Sequence, residues 1–146
     1  MKVGNCMTKE VRIVSPDQPI REVAQIMEKL DAGAMPVGEN DRLVGMITDR
    51  DIAIRGVAAG KGPDTKVRDV MSADVKYCFE DEDVGHVLEN MSHLQVRRLP
   101  VLNREKRLVG IVSLGDLAKE KGEPKETGEA LKGISQRGGQ HSQTLH

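Results

Sequence analysis

A chain of 146 residues with 38% hydrophobic side chains is long enough to fold around an apolar core. The formal net charge of −1 gives no overall electrostatic reason to bind nucleic acid or an anionic membrane, and one tyrosine and one phenylalanine are too few for a base-stacking surface. No apolar run reaches the roughly 18 residues that span a bilayer, and the amino terminus lacks the apolar stretch of a secretory signal, so we expect a cytoplasmic protein.

The first predicted elements follow one another between residues 11 and 58. A β-branched run from Val11 to Val14 predicts a strand, which Ser15-Pro16-Asp17 ends. Apolar residues then recur at three- and four-residue spacing from Ile20 to Leu30, as in an amphipathic helix. The remaining predicted elements are two strands around a polar turn, 34–37 and 43–48, and a second helix, 49–58.

The same order of elements returns after residue 65. Aligning GMITDRD (residues 45–51) with GIVSLGD (residues 110–116) extends to a match of the whole unit, in which Lys2–Thr8 faces Lys66–Ser72. The predicted fold class is therefore α+β, with two strand-helix-strand-strand-helix repeats packed with pseudo-twofold symmetry. The predicted elements of the second unit are strands 75–79, 99–102 and 109–113 and helices 84–94 and 114–120.

The duplication sets the domain boundaries that we expect. Residues 2–59 form the first repeat, residues 60–65 a linker with glycine and proline, and residues 66–120 the second repeat. From Lys121 the chain contains five glycines and little apolar periodicity. We therefore expect a mobile carboxy-terminal tail over residues 121–146.

Two such units, each ending in Gly, two apolar residues, Thr or Ser, two variable residues and Asp, resemble a tandem pair of CBS domains, named after cystathionine β-synthase. The similarity covers residues 2 to about 120, and RLVGMITDRDIAIRG (residues 42–56) is similar to segments of small stand-alone bacterial CBS-pair proteins. The resemblance implies a non-catalytic regulatory module, a homodimer that binds AMP, ADP, ATP, NAD or S-adenosylmethionine and signals to an unknown protein target. It implies no obligatory cofactor; the expected ligand is an adenine nucleotide.

The residues that end each repeat suit an adenosine nucleotide in a cleft between the two repeats. A helix that starts after Thr48 directs free amide N–H groups and a positive dipole end at one spot, which suits a phosphate. Asp51 can accept both hydroxyls of a ribose, and Ser113 and Asp116 would take the same parts in the second repeat. The aliphatic residues that could enclose the base are Ala34, Met35, Pro36 and Ile47 in one cleft and Leu99, Pro100 and Val112 in the other.

The resemblance also implies which residues face the phosphates. In the family the phosphates point toward the pseudo-twofold axis, which makes Arg97 and Arg98 candidate phosphate ligands and Arg50 a weaker one. The first repeat has Gly33 and Ala34 where the second has these two arginines. We therefore expect the two clefts to differ in affinity.

Other interpretations of the same residues stay open. Thr-x-x-Asp and Ser-x-x-Asp also match capping boxes, in which a hydroxyl and an acid only satisfy amides at a helix start. The alternative function is then a ligand-free dimerisation or interaction module. No Walker loop, nucleophile elbow or zinc motif is present, and His86 and His93 lack partners at ligand spacing, so we predict neither an enzyme nor a metal site. Cys6 and Cys78 form no C-x-x-C pair, and we expect buried reduced thiols.

Overall fold

The computed structural model describes residues 1–120 and 124–135, and its elements belong to two compact units. The first-repeat unit is Arg12–Val75, and the second-repeat unit combines Met1–Val11 with Lys76–His146. Each unit has its own cluster of buried apolar side chains. Each unit therefore contains the body of one repeat and the short segment that opens the other repeat.

The first-repeat unit contains helix α1 (Ile20–Leu30), a hairpin and a second helix. Strands β1 (Ala34–Glu39) and β2 (Arg42–Thr48) pair antiparallel. Helix α2 (Asp49–Asp51) follows β2 directly and continues as a π-helical stretch, Ile52–Val57. The predicted helix, hairpin and second helix are confirmed within one or two residues.

The second-repeat unit repeats this order and adds one helix. Its strands form a three-stranded sheet in which β3 is parallel to β4 and β4 is antiparallel to β5. With sheets and helices in both units, the α+β class is confirmed. The elements of this unit are β3 (Cys78–Phe79), α3 (Val84–Leu94), β4 (Arg98–Leu102), β5 (Leu108–Ser113), α4 (Leu114–Glu120) and α5 (Pro124–Ile134).

Helix α1 forms where the spacing of apolar residues predicts it. Ile20, Val23 and Met27 lie on one face and are 2%, 0% and 7% exposed. The helix ends where Asp31 adopts a left-handed conformation with φ 51°, and its N–H donates back to Glu28 and Met27 carbonyls. The apolar stripe therefore fixes the buried face, and the left-handed residue stops the helix.

The strands predicted at residues 11–14 and 75–79 are much shorter in the structure. Only Val14 pairs in the first repeat, where its N–H donates to the Pro36 carbonyl and its carbonyl accepts from Gly38. Continuing this parallel ladder toward Arg12 would require an N–H at position 36, which proline lacks. Pro100 occupies the same place beside β3, so both strands stop at the equivalent point.

The opening segment of each repeat pairs with the hairpin of the other repeat. Ser72 exchanges two backbone hydrogen bonds of 2.9 Å with Met46, and Thr8 exchanges two of 2.8 and 3.0 Å with Ile111. Beside these contacts a Cβ at Gly45 would lie 2.6 Å from Met71 Sδ, so only glycine fits there without displacing the methionine. The position of each hairpin is thus fixed by a segment from elsewhere in the chain.

Helix α5 differs from the mobile tail expected after Lys121. It packs along α3, and Ile134 joins the core of the second-repeat unit with 8% exposure. Its burial supplies the apolar contact that the low overall periodicity of this stretch did not reveal. Residues 121–123 and 136–146, also part of the expected tail, lie outside the described residues.

Among the described residues, no helix combines the length and the apolar character needed to cross a bilayer. The cytoplasmic location stays a prediction.

Candidate functional site

The first candidate pair, Thr48 and Asp51, lies at the junction of β2 and α2. The Thr48 N–H donates to Asp51 Oδ2, and the Asp51 N–H donates to Thr48 Oγ1, both at 3.0 Å. These reciprocal bonds form a capping box. The alternative interpretation of the motif is therefore present in the geometry, and it fixes the carboxylate at the start of the helix.

The second pair, Ser113 and Asp116, repeats this geometry at the junction of β5 and α4. The Ser113 N–H donates to Asp116 Oδ2 at 3.0 Å, and the Asp116 N–H donates to Ser113 Oγ at 3.1 Å. Both aspartates are partly buried. In each pair, Oδ1 of the aspartate accepts no hydrogen bond from the described residues, which leaves one fixed oxygen open to a ligand.

The amides at the start of α2 are not free, contrary to our expectation for a phosphate site. The Asp49 N–H donates to the Gly33 carbonyl at 2.9 Å, and the Arg50 N–H donates to Asp49 Oδ1 at 2.8 Å. With the Asp51 N–H bound to Thr48, all three amides of this turn are satisfied within the protein. The sequence carried a signal for this in Asp49, which directly follows Thr48. A carboxylate at that position readily accepts hydrogen bonds from the amides at a helix start.

The second repeat differs at the same point. The Leu114 N–H donates to the Arg97 carbonyl at 2.9 Å, as Asp49 does to Gly33. Gly115 takes the place of Arg50, and no carboxylate precedes it, so its N–H meets no acceptor among the described residues. One helix-start amide therefore stays available in the second repeat only.

The side chains proposed to enclose the base mostly belong to the cores. Strand pairing sets Ala34 opposite Thr48 and Arg98 opposite Ser113, so each hairpin brings the expected groups together. Among these candidates only Ala34 is half-buried. The side chains of the others are buried, so at each junction they can offer a ligand only their backbone groups. The buried candidates are Met35, Pro36, Ile47, Leu99, Pro100 and Val112.

The candidate phosphate ligands Arg97 and Arg98 are both exposed. Neither guanidinium has an ion pair within the described part of the chain, so both charges are free to meet an anion. Arg98 is the first residue of β4 and pairs with Ser113 across the ladder, so its backbone lies next to the second hydroxyl–carboxylate pair. The first repeat carries no cation at the equivalent positions, Gly33 and Ala34.

No group of three His, Cys, Asp or Glu side chains gathers to hold a metal ion in residues 1–120 and 124–135. The absence of a metal site remains a prediction.

The fold and the duplicated site define the class of protein: a tandem-repeat module in which each repeat ends in a hydroxyl–carboxylate pair at a hairpin–helix junction. The family model described as "CBS domain" matches residues 3–56 and 67–123. The chain therefore belongs to the CBS-domain family, as the sequence indicated.

Two relatives show the small stand-alone form. The CBS domain-containing protein YhcV of Bacillus subtilis (strain 168) is 41% identical over 133 residues, which cover 91% of this chain and 94% of YhcV. The crystal structure of Hypoxic Response Protein I with two coordinated zinc ions superposes with a TM-score of 0.76 at 36% identity, covering 84% of this chain and 100% of that one.

A third similar structure contains adenosine ligands. It is the CBS domain pair of protein MJ0100 in complex with 5′-methylthioadenosine and S-adenosyl-L-methionine. It superposes with a TM-score of 0.74 at 30% identity and covers 84% of this chain and 100% of that chain. The chain is thus a CBS pair with relatives of the same architecture that bind adenosine compounds.

Proposed function

We propose that the chain is a non-catalytic regulatory module that binds an adenosine-containing nucleotide and signals the bound state to a protein target. The observation that carries the proposal is the open Oδ1 of Asp51 and of Asp116, each on a carboxylate already fixed by its capping box. A fixed acceptor-only group suits the paired hydroxyls of a ribose, because it is ordered before the ligand arrives. The adenosine ligands of the MJ0100 domain pair support the same class of ligand.

The second repeat is the better site for a ligand that carries phosphate. It combines the Gly115 amide, which has no acceptor within residues 1–120 and 124–135, with the exposed Arg97 and Arg98 and with Asp116. A phosphate gains charge-assisted hydrogen bonds from guanidinium and amide groups. The first repeat has satisfied amides and the Asp49 carboxylate in this place, so it suits an adenosine compound without phosphate.

Signalling requires more than binding. A nucleotide shifts a conformational equilibrium only if it binds one conformation more tightly than the other. We propose a homodimer as the signalling form, as the family resemblance implies, and sedimentation velocity with and without nucleotide measures both its existence and its response.

A second candidate function, a ligand-free dimerisation or interaction module, is favoured by one observation. Both capping boxes are complete within the protein, so neither helix start requires a ligand to satisfy it. In that case the carboxylates would contribute to stability only.

Thermal unfolding with AMP, ATP, NAD and S-adenosylmethionine separates these two functions. A ligand at about 100 times its dissociation constant stabilises the native state by roughly 2.7 kcal/mol. Asp116→Asn removes the carboxylate charge but retains an oxygen that can accept from the Ser113 N–H, so we expect it to fold and to lose the shift with phosphate-bearing ligands. Asp51→Asn is the matched control and should retain that shift.

Ser113→Ala completes the design, because it breaks the capping box without removing the carboxylate. If the second repeat binds a nucleotide, we expect Ser113→Ala to unfold at a lower temperature than wild type and still to be stabilised by the ligand. If no nucleotide shifts the wild-type protein, and Ser113→Ala and Asp116→Ala lower its stability alike, the interaction module is correct.

A further inference from the structure

Helix α5 is attached to the residue that ends α3. That residue is Gln95, and its Nε2 donates to the Gly133 carbonyl in the last turn of α5 at 2.9 Å. Next to this bond, Ile134 lies in the core of the second-repeat unit with 8% exposure. The carboxy-terminal helix therefore contacts the chain at the point where α3 ends and the following segment begins.

Gln95 has a backbone conformation that depends on such support. Its φ of 58° and ψ of 44° are left-handed, a region that is unfavourable for residues with a Cβ. The hydrogen bond from its side chain to Gly133 ties this conformation to the docked helix. The turn at Gln95 sets the direction in which the chain leaves α3, so the docking of α5 contributes to fixing that direction.

The segment that leaves α3 at this turn carries the candidate phosphate ligands, Arg97 and Arg98. The Arg97 carbonyl accepts from the Leu114 N–H at 2.9 Å. Arg98 pairs with Ser113 across the ladder. Residues 95–98 thus connect the α5 contact at one end to the second hydroxyl–carboxylate pair at the other.

The first repeat has a different side chain at the position of Gln95. Asp31 ends α1 with the same left-handed backbone, φ 51°. An ionised aspartate only accepts hydrogen bonds, so it has no N–H to donate to a helix carbonyl. We therefore expect α5 to affect ligand binding at the second repeat alone.

The contact of α5 with the unit is partial, so its docking can respond to a ligand. Ile134 is 8% exposed, whereas Leu131, one turn before it, is 46% exposed. A Cβ at Gly128 would meet nothing within 4 Å. A segment that is buried mainly at one end opens locally at a lower free-energy cost than the core does.

We propose that α5 regulates the nucleotide site of the second repeat, because the docked helix holds residues 95–98 in the conformation that presents Arg97 and Arg98 to a phosphate. The inference rests on the proposed function, since it concerns the same site. Docking of α5 and binding of a phosphate-bearing nucleotide then favour each other, and linkage makes this coupling equal in both directions. Any contact that removes α5 from α3 weakens the nucleotide, so the helix can couple the site to a partner.

Two glycine variants of α5 separate its docking from its helical propensity. A Cβ at Gly133 would collide with Ser92 Oγ and lie 3.0 Å from Ser92 Cβ and 3.1 Å from the Ser92 carbonyl oxygen. Rotation of the hydroxyl does not relieve these contacts, so we expect Gly133→Ala to displace α5 from α3. Gly128→Ala is the matched control, because it makes the same substitution in the same helix with open space around it. Alanine favours the helix in both variants, and only the first disturbs the docking.

Isothermal titration calorimetry of the full-length protein with AMP, ATP and NAD measures the effect. We expect Gly133→Ala to bind the nucleotide at least ~10-fold more weakly than wild type, and Gly128→Ala to bind it as wild type does. 5′-Methylthioadenosine has no phosphate, so its affinity should change less than ~3-fold in both variants. A helix that only stabilised the fold would not distinguish ligands by their phosphate.

Gln95→Met breaks the contact without introducing a clash. Methionine has a similar length to glutamine but no N–H to donate to the Gly133 carbonyl. We expect this variant to weaken the same nucleotide at least ~3-fold, as the loss of one hydrogen bond would. It decides the question if Gly133→Ala does not fold.

Hydrogen–deuterium exchange tests the coupling in the opposite direction. A saturating phosphate-bearing nucleotide should slow the exchange of the α5 amides, residues 124–134, in the wild-type protein. The same nucleotide should slow them less in Gly133→Ala, in which α5 is displaced. Exchange in α5 that does not change when the nucleotide binds wild type would overturn the role of α5.

The calorimetric outcomes distinguish this inference from the function on which it rests. If none of AMP, ATP and NAD binds wild type, the phosphate site and the role of α5 are both wrong. If one of them binds wild type and binds Gly133→Ala and Gln95→Met equally tightly, the nucleotide site stands and the role of α5 is overturned. Equal weakening of the nucleotide in Gly128→Ala, or equal weakening of 5′-methylthioadenosine, would also overturn the role of α5.

Discussion

The Ser113 N–H donates to Asp116 Oδ2 while the Asp116 N–H donates to Ser113 Oγ, so each residue fixes the other at the start of α4. Thr48 and Asp51 hold the same relationship at the start of α2. One carboxylate oxygen thus stabilises the helix, and the other stays open. The structural and the ligand-binding interpretations of the motif are compatible, since they use different oxygens of the same group.

The capping boxes should contribute measurably to stability. Removing a Ser or Thr at a helix start costs about 1 kcal/mol, because an amide loses its acceptor. We expect Thr48→Ala to lower the free energy of unfolding by about that amount in urea denaturation. Thr8→Ala is the control, since the exposed Thr8 hydroxyl has no hydrogen bond within the described residues. Equal stability of Thr48→Ala and wild type would contradict the capping role.

Gly45 should tolerate no side chain. A Cβ there would lie 2.6 Å from Met71 Sδ and 2.9 Å from the Ser72 carbonyl oxygen, which is held by the backbone pair with Met46. Inserting a methyl group into such a contact costs about 1–3 kcal/mol. We expect Gly45→Ala to show this loss in urea denaturation, while Gly62→Ala, with open space around it, stays within about 0.5 kcal/mol of wild type. An equal loss of stability in Gly45→Ala and Gly62→Ala would show that the contacts with Met71 and Ser72 are not the cause.

The ion pair of Asp17 and Arg68 should make stability depend on acid pH. Arg68 hydrogen-bonds the carboxylate at 2.6 Å and lowers the pKa of Asp17 below its ordinary 3.8. The pair therefore contributes stability above pH 3.8, and this contribution is lost as the pH falls through the lower pKa of the folded state. We expect the urea midpoints of Arg68→Gln and wild type to differ at neutral pH and to converge below pH 3.8.

Arg12→Gln is the control for that experiment, because Arg12 is an exposed cation of the same unit with no ion pair in the described chain. The difference between the urea midpoints of Arg12→Gln and wild type should not change as Asp17 is protonated. If the urea midpoints of Arg68→Gln and wild type differ by the same amount at acid pH as at neutral pH, the ion pair is not the source of the difference.

The buried thiol of Cys78 should destabilise the fold at alkaline pH. Burial, and then the negative charge of Glu82, raise the pKa of Cys78 from 9.0 to about 12. Between pH 9.0 and about pH 12 the thiol loses its proton in the unfolded chain and retains it in the folded chain, so the free energy of unfolding falls as the pH rises. From pH 7 to pH 10 we expect wild type to lose about 1 kcal/mol more than Cys78→Ala in urea denaturation. An equal loss of stability in wild type and in Cys78→Ala would refute the assignment.

The sequence alone determined the local elements and the duplication. Helix α1 follows from the spacing of Ile20, Val23 and Met27, because a helix buries every third or fourth residue whatever its surroundings. The hairpin before Thr48 follows from two apolar runs around a polar turn. The hydroxyl–carboxylate pairs could be found because they recur at the same place in both repeats.

Tertiary structure alone decided which distant segments meet. The pairing of Thr8 with Ile111 and of Ser72 with Met46 involves main-chain groups, which every residue carries, so no side-chain pattern encodes it. The satisfied amide of Asp49 likewise depends on the Gly33 carbonyl, which only the folded chain brings within reach. Helix α5 forms along α3 because Ile134 finds an apolar groove there, and that groove exists only once α3 and α4 have packed.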